Sequence, residues 1–278
     1  GRGTAPCIGL SALYLRRCDP EAVMTVLTAD HYIEKVEHFL DVLAAAEKVA
    51  QEGHLVTLGI TPDHPSTGYG YIRRGELLGQ VDGCTVYRAE QFTEKPDEAT
   101  ARHFLETGLY SWNSGMFIWR IPAVMAEFRR QMPELYAQLM EIDAALGTPQ
   151  EQEVLERVWP QVQPQTIDYG IMEGARDVAV IPVDIGWSDV GSWASLLDIL
   201  AADEDGNVVM NVARHLGLDT RRTLVYGQNP RRLIATIGLE DMIVVDTDDV
   251  VLICPRSKAQ AVREVVKRLQ EEGAEEYL

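Results

Sequence analysis

Apolar and polar positions follow two periods in the first two thirds of the chain and only the shorter one afterwards. VMTVLTAD (23–30) is a β-branched apolar run that closes on an acid. EKVEHFLDVLAAAEKVAQEG follows, with Val36, Phe39, Leu40 and Leu43 at helical spacing before a glycine. HLVTLGI (54–60) is a second apolar run. Strand, helix and strand in so short a span predict a βαβ unit, which implies a parallel sheet buried on both faces.

TPDHPSTGYGYIRRGE then reads as a loop entering a strand, because Pro62, Pro65 and the pair Gly68 and Gly70 interrupt any helix. CTVYRAEQFTEKP predicts a strand ending in charges, DEATARHFLETG a short helix opened by an aspartate, and SWNSGMFIWRI another buried strand. PAVMAEFRRQMPELYAQLMEIDAAL predicts a helix kinked or broken at Pro133, and VAVIPVDIGW (178–187) the last strand of an α/β region. From about Asn207 the pattern shortens to VVMNV, TLVYG, RLIATIG, MIVVDT and VVLICP, separated by turn signals. A final helix carries Val262, Val265, Val266 and Leu269 on one face. The expected boundary lies near 203: an α/β domain over 1–203 and a small β-rich domain with a closing helix over 204–278. Neither an internal repeat nor a low-complexity stretch is visible.

With 278 residues, 46% of them hydrophobic, the chain can bury one large core and a smaller one. Its 43 acidic against 25 basic residues give a formal charge of -18, which repels a nucleic-acid backbone or an anionic membrane surface. No apolar stretch has the length of a spanning helix, and GRGTAPCIGL lacks the basic-then-apolar order of a signal sequence. A soluble, cytoplasmic protein is therefore expected. Cys7, Cys18, Cys84 and Cys254 show no CxxC spacing, and the six histidines form neither HxH nor HExxH. Disulfides and zinc thus lack support, and the cysteines are expected to be mostly buried thiols.

Ligands of open α/β sheets bind outside the carboxyl ends of the strands, where both Asp30 and Asp189 fall. One or two carboxylates plus substrate phosphates suit magnesium, but each acid also precedes a predicted helix and could cap it. TEKP sets Glu94 beside Lys95, as a phosphorylated sugar would require, or as a solvated turn would allow. Asn113 could aim its amide into a cleft or sit in a turn. Gly70 would let backbone approach a ligand. Asp168 reads chiefly as a residue that caps or orients a helix start after Thr166. The tryptophans Trp112, Trp119, Trp187 and Trp193 read as core or cleft wall.

GRGTAP, VLTADHYIE, GITPDHPSTGYGYI, FTEKPD, YSWNSGMFIW, TIDYGIME and WSDVGSW occur in this order. Together they resemble the mannose-1-phosphate guanylyltransferase family, whose members make GDP-mannose. The resemblance implies a Rossmann-like nucleotidyltransferase (nucleotide-diphospho-sugar transferase) domain of α/β class with a small β-rich C-terminal domain. It further implies Mg²⁺ as cofactor, held by Asp30 and Asp189. Lys95 would face the sugar phosphate, Glu94 and Asn113 would hold mannose hydroxyls, and Gly70 would bring backbone against the sugar. Asp168 and Gly191 would complete the substrate site, the glycine leaving room beside Asp189. Such chemistry is transfer of GMP from GTP to mannose-1-phosphate, with Asp30, Lys95 and Asp189 as the catalytic set. A homodimer through the C-terminal domain is also implied.

The family pattern opens with a strand and a GxGxRxxP-type phosphate loop, so such a segment is expected upstream of Gly1, and the chain is expected to be inactive without it. Where the family usually reads GRNTAPA, this chain has GRGTAPC, placing Gly3 at the asparagine position. Two alternatives stand beside the enzyme: a regulatory subunit that keeps the sugar-nucleotide cleft without catalysis, and a nucleotidyltransferase for another hexose-1-phosphate.

Overall fold

The computed structural model describes residues 1–277 and groups them into two compact units, 1–29 with 33–187, and 30–32 with 188 onward. The first unit begins with helix α1 (Thr4–Cys18), which buries Ala5, Ile8, Ala12 and Leu13. Strand β1 (Val23–Val26), the two-residue β2 (Tyr32–Ile33), helix α2 (Val36–Gln51) and strand β3 (Leu55–Ile60) follow. α2 buries Phe39, Val42, Ala46 and Val49, and β3 is buried at all six positions because helices cover both faces of its sheet.

Next come β4 (Tyr71–Val81), β5 (Cys84–Thr93), α3 (Glu98–Thr107) and β6 (Tyr110–Arg120). Asp97 caps α3 by accepting from the Thr100 N–H. Helices α4 (Ile121–Gln131) and α5 (Pro133–Ala145) are separate, with Pro133 opening the second as its missing N–H permits. α6 (Glu151–Val158), the single turn α7 (Ile167–Gly170), β7 (Val178–Val183) and β8 (Trp187–Ser188) complete this stretch, with β2 and β8 paired as a short ribbon.

The main sheet has the order β1-β6-β3-β7-β5-β4. The expectation of a parallel sheet is corrected here: β3 and β7 pair in parallel, whereas β6 runs antiparallel between β1 and β3, and β5 antiparallel beside β7. The crossover through α2 does join two like-directed strands, but a later strand inserts between them. Side chains alternate across this sheet, Phe117 and Trp119 entering the core under α1 and α4, Met116 and Ile118 the core under α2.

The second unit contains helix α8 (Trp193–Ile199), strands β9 (Val208–Met210), β10 (Arg214–Leu218), β11 (Leu224–Gly227), β12 (Leu233–Ile237), β13 (Met242–Asp246) and β14 (Val251–Pro255), and helix α9 (Val262–Glu272). β9, β11 and β13 stack in parallel with Val208, Leu224 and Ile243 in register, while β10 and β12 form a second parallel pair. The chain thus coils, each turn laying one strand on each of two sheets. Trp193 and Leu196 of α8 pack against the buried Val208, Leu224 and Ile243. Val265 and Val266 of α9 are exposed.

The cysteine expectation also needs correction. Cys7 and Cys18 are exposed and Cys84 and Cys254 half-buried, all four as free thiols, because Cys7 falls on the outer side of α1 and Cys18 at its solvated end.

Candidate active site

Strand alternation would send Glu94 and Lys95 to opposite faces. β5 has already ended at Thr93, however, and Lys95 takes a left-handed backbone (φ 44°), uncommon for a lysine and a mark of stored strain. The turn brings the Lys95 ammonium to 3.3 Å from Glu94 Oε1. The Lys95 N–H donates to the Tyr69 carbonyl and the Asn113 N–H to the Gly70 carbonyl, which ties this turn to β6 through Gly70. A Cβ on Gly70 would sit 2.4 Å from Glu94 Oε2 and 3.4 Å from the Asn113 Cβ, so a larger residue there displaces the carboxylate.

Asn113 Nδ2 donates to Asp168 Oδ1 at 2.7 Å, and Asn113 Oδ1 accepts from the Gly115 N–H. Asp168 is therefore not the cap of α7. Thr166 caps it, accepting from the Tyr169 N–H, and Asp168 turns toward Asn113 from the first turn. Gly70, Tyr71, Phe92, Thr93, Glu94, Asn113, Asp168 and Glu173 line one narrow hollow. Burial, reinforced by the charges of Glu94 and Asp168, pushes the Glu173 carboxyl up. Glu173 lies within TIDYGIME, but no periodicity in the chain marks a residue beyond a one-turn helix.

Asp30 and Asp189 belong to the second unit. Neither caps a helix: α2 is preceded by Lys35 and α8 by Ser192. Asp189 Oδ1 accepts from the Gly191 N–H at 3.0 Å, and Val190 between them has φ 49°, a genuine outlier for a β-branched residue. Both acids act on the imidazole of His31, whose pKa burial lowers against the opposing pull of their charges. Trp112 and Trp119 are buried core; Trp187 and Trp193 are half-buried, Trp187 with its ring 5.3 Å from that of Tyr69 and Trp193 5.1 Å from Tyr226.

Residues 1–206 match the family model described as nucleotidyl transferase. The chain belongs to that family. Residues 213–269 also match the mannose-phosphate isomerase/GMP-like β-helix domain, in agreement with the coiled strands. A mannose-1-phosphate guanylyltransferase from Escherichia coli K12 is 38% identical over the whole chain, and a mannose-1-phosphate guanylyltransferase (ManC) from Salmonella typhimurium LT2 is 39% identical. The chain spans 58% of the length of each of these two relatives. Among solved structures, a Thermus thermophilus protein described as mannose-1-phosphate geranyltransferase superposes with a TM-score of 0.83 at 36% identity, covering 97% of this chain and 76% of its own.

Nucleotidyltransferases of this kind generally use a divalent cation. Among the described residues no three His, Cys, Asp or Glu side chains are grouped to enclose a metal. Asp30 and Asp189, which both act on His31, carry oxygen donors only, the ligand type a hard cation accepts. No helix among the described residues is long and apolar enough to cross a membrane.

Proposed function

We propose that the protein carrying this chain transfers GMP from GTP to mannose-1-phosphate, giving GDP-mannose and pyrophosphate. The observation that carries the reading is the hollow around Gly70, where Glu94, Asn113 and Asp168 converge from different elements as hydroxyl-binding groups, on a chain whose relatives bear that enzyme's name. Glu94 and Asp168 accept from sugar hydroxyls, while Asn113 donates with its remaining amide hydrogen. Lys95 meets the sugar phosphate. Asp30 and Asp189 would hold Mg²⁺, which when bound neutralises phosphate charge. The attacking group is a phosphate oxygen already ionised at neutral pH, so no general base is required, and rate comes from orientation and charge neutralisation.

The reading places the enzyme in the cytoplasm with its soluble substrates and as a homodimer through the C-terminal unit. Leu216, Leu218, Leu233 and Ile237 support the latter, exposed along β10 and β12. Sedimentation of the wild type and of Ile237→Asp tests the dimer, the variant being expected as monomer. For the activity, pyrophosphate release by the full-length protein is measured with mannose-1-phosphate, Mg²⁺ and each of GTP, ATP, UTP and CTP. Release with GTP alone is expected. Release with another nucleotide or only with another hexose-1-phosphate changes the substrates, and silence with all would favour a regulatory subunit.

A further inference from the structure

The one-turn helix α7 and the residues after it supply Asp168 and Glu173 to the hollow, yet a single turn has little stability of its own. Its support comes from both sides. Beyond its C-terminal end, Gln131 Nε2 donates to the Ile171 carbonyl at 2.8 Å and the Arg130 guanidinium donates to the Gly174 carbonyl. At its start, the chain's first residues cross it as a strap. The Gln165 N–H donates to the Arg2 carbonyl, and the Ala5 N–H to the Gln165 carbonyl.

Between these two bonds lies the one that matters most. The Ile167 N–H is the first of α7 and has no partner within the helix, while Ile167 itself is 2% exposed. It donates to the Thr4 hydroxyl at 2.8 Å, a residue 163 positions away. Thr166 serves the Tyr169 N–H, so the two threonines divide the capping of one turn. Gly3 makes the approach possible. It sits at φ 81° and ψ 178°, a region open essentially to glycine, and a Cβ there would lie 2.4 Å from the Gln165 carbonyl oxygen.

We propose that Thr4 is a positioning residue for the sugar-phosphate site: its hydroxyl caps α7 from across the fold, which holds Asp168 against Asn113 and keeps the Asn113 amide aimed into the hollow. The kinetic part of this proposal rests on the guanylyltransferase reading; the capping part does not.

The experiment compares Thr4→Val, which keeps the shape and removes the hydroxyl, with Thr4→Ser, which restores the acceptor. Hydrogen exchange is followed over residues 165–174, and KM and kcat are measured with GTP and mannose-1-phosphate. Thr4→Val is expected to speed exchange of that segment roughly tenfold, as loss of the partner of a part-buried donor implies. It should raise KM for mannose-1-phosphate about tenfold with KM for GTP unchanged, and Thr4→Ser should restore both. Should valine not be accommodated, Thr4→Ala makes the same comparison. Unchanged exchange, or a rise in KM for GTP alone, would overturn the proposal, the second by placing Thr4 on the nucleotide. If the full-length wild type shows no turnover, the functional reading fails and exchange alone decides the capping role.

Discussion

Buried and half-buried polar side chains gather in two regions, and they end differently. In the C-terminal coil most close on other groups of the coil, Asp246 alone among its described buried polar residues keeping one carboxylate oxygen without a partner. Asn207, 4% exposed, donates to Asp203 and to the Thr220 carbonyl and accepts from the Thr223 N–H. Thr220 and Thr236 share a hydroxyl bond at 2.8 Å, and the Thr236 hydroxyl also meets His215 Nε2. Around Gly70 the polar groups instead arrive from the turn after β5, from β6, and from α7 and the turn that follows it: three carboxylates and an amide share one hollow, where Asn113 binds Asp168, Glu94 pairs with Lys95, and Glu173 meets the charges of the other two carboxylates. A satisfied polar network rigidifies a fold, and an unsaturated convergent one is suited to a ligand. Burial of a polar residue therefore says little about function until its hydrogen bonds have been followed to their ends.

The sharpest break of this comparison is at the acids. Asp189→Asn keeps the shape and the Gly191 bond but removes a charge that metal binding needs, so pyrophosphate release should fall about a hundredfold or more. Unchanged release would assign Asp189 to the turn alone. Next in size is Gly70→Ala, where the added methyl meets Glu94 Oε2. The methyl meets the far end of a flexible side chain, which can swing aside at little cost to the fold, so a loss of tenfold or more in kcat/KM for the sugar phosphate is expected while the thermal midpoint moves little. Asn207→Ala is the complementary test. It should lower unfolding free energy by about 1–3 kcal/mol through unpaired buried groups and leave kcat/KM unchanged, measured by denaturant melts and the same assay.

Long periodic segments were legible in the chain, and arrangements set by distant partners were not. α2, β3, the break at Pro133 and the Asp97 cap follow from local pattern, because each depends on residues within a few positions. The insertion of β6 between β1 and β3 does not, since strand order is decided by packing among segments far apart in the chain. α1 carries its signal in Ala5, Ile8, Ala12 and Leu13, masked by Pro6 and two glycines, Gly3 and Gly9. The coil hides its repeat because successive turns share register and not residue types: Val208, Leu224 and Ile243 are alike, but Asn207 and Thr223 beside them are not. At the site, the TEKP motif was legible, whereas the left-handed turn at Lys95 that brings its charges together was not. The pairing of Asn113 with Asp168 and the cap from Thr4 each join residues with no local mark of their partnership.

The smallest effect separates the two regions by pH. In the coil, Asp246 is nearly buried yet bound by the Arg232 guanidinium, whereas Glu173 in the hollow faces Glu94 and Asp168. The folded pKa of Glu173 is raised, so between the unfolded value and the folded one the native state holds the proton more than the unfolded state does. Stability then falls as pH rises through that window and stays lower above it. Glu173→Gln removes the titration. Melting curves of wild type and variant should coincide well below the carboxylate range and diverge above it, with the variant the more stable by a small margin because Glu173 is substantially exposed and its repulsion screened. If the variant is instead the less stable at neutral pH, the ionised Glu173 has a favourable partner and the hollow is closed on itself in the manner of the coil.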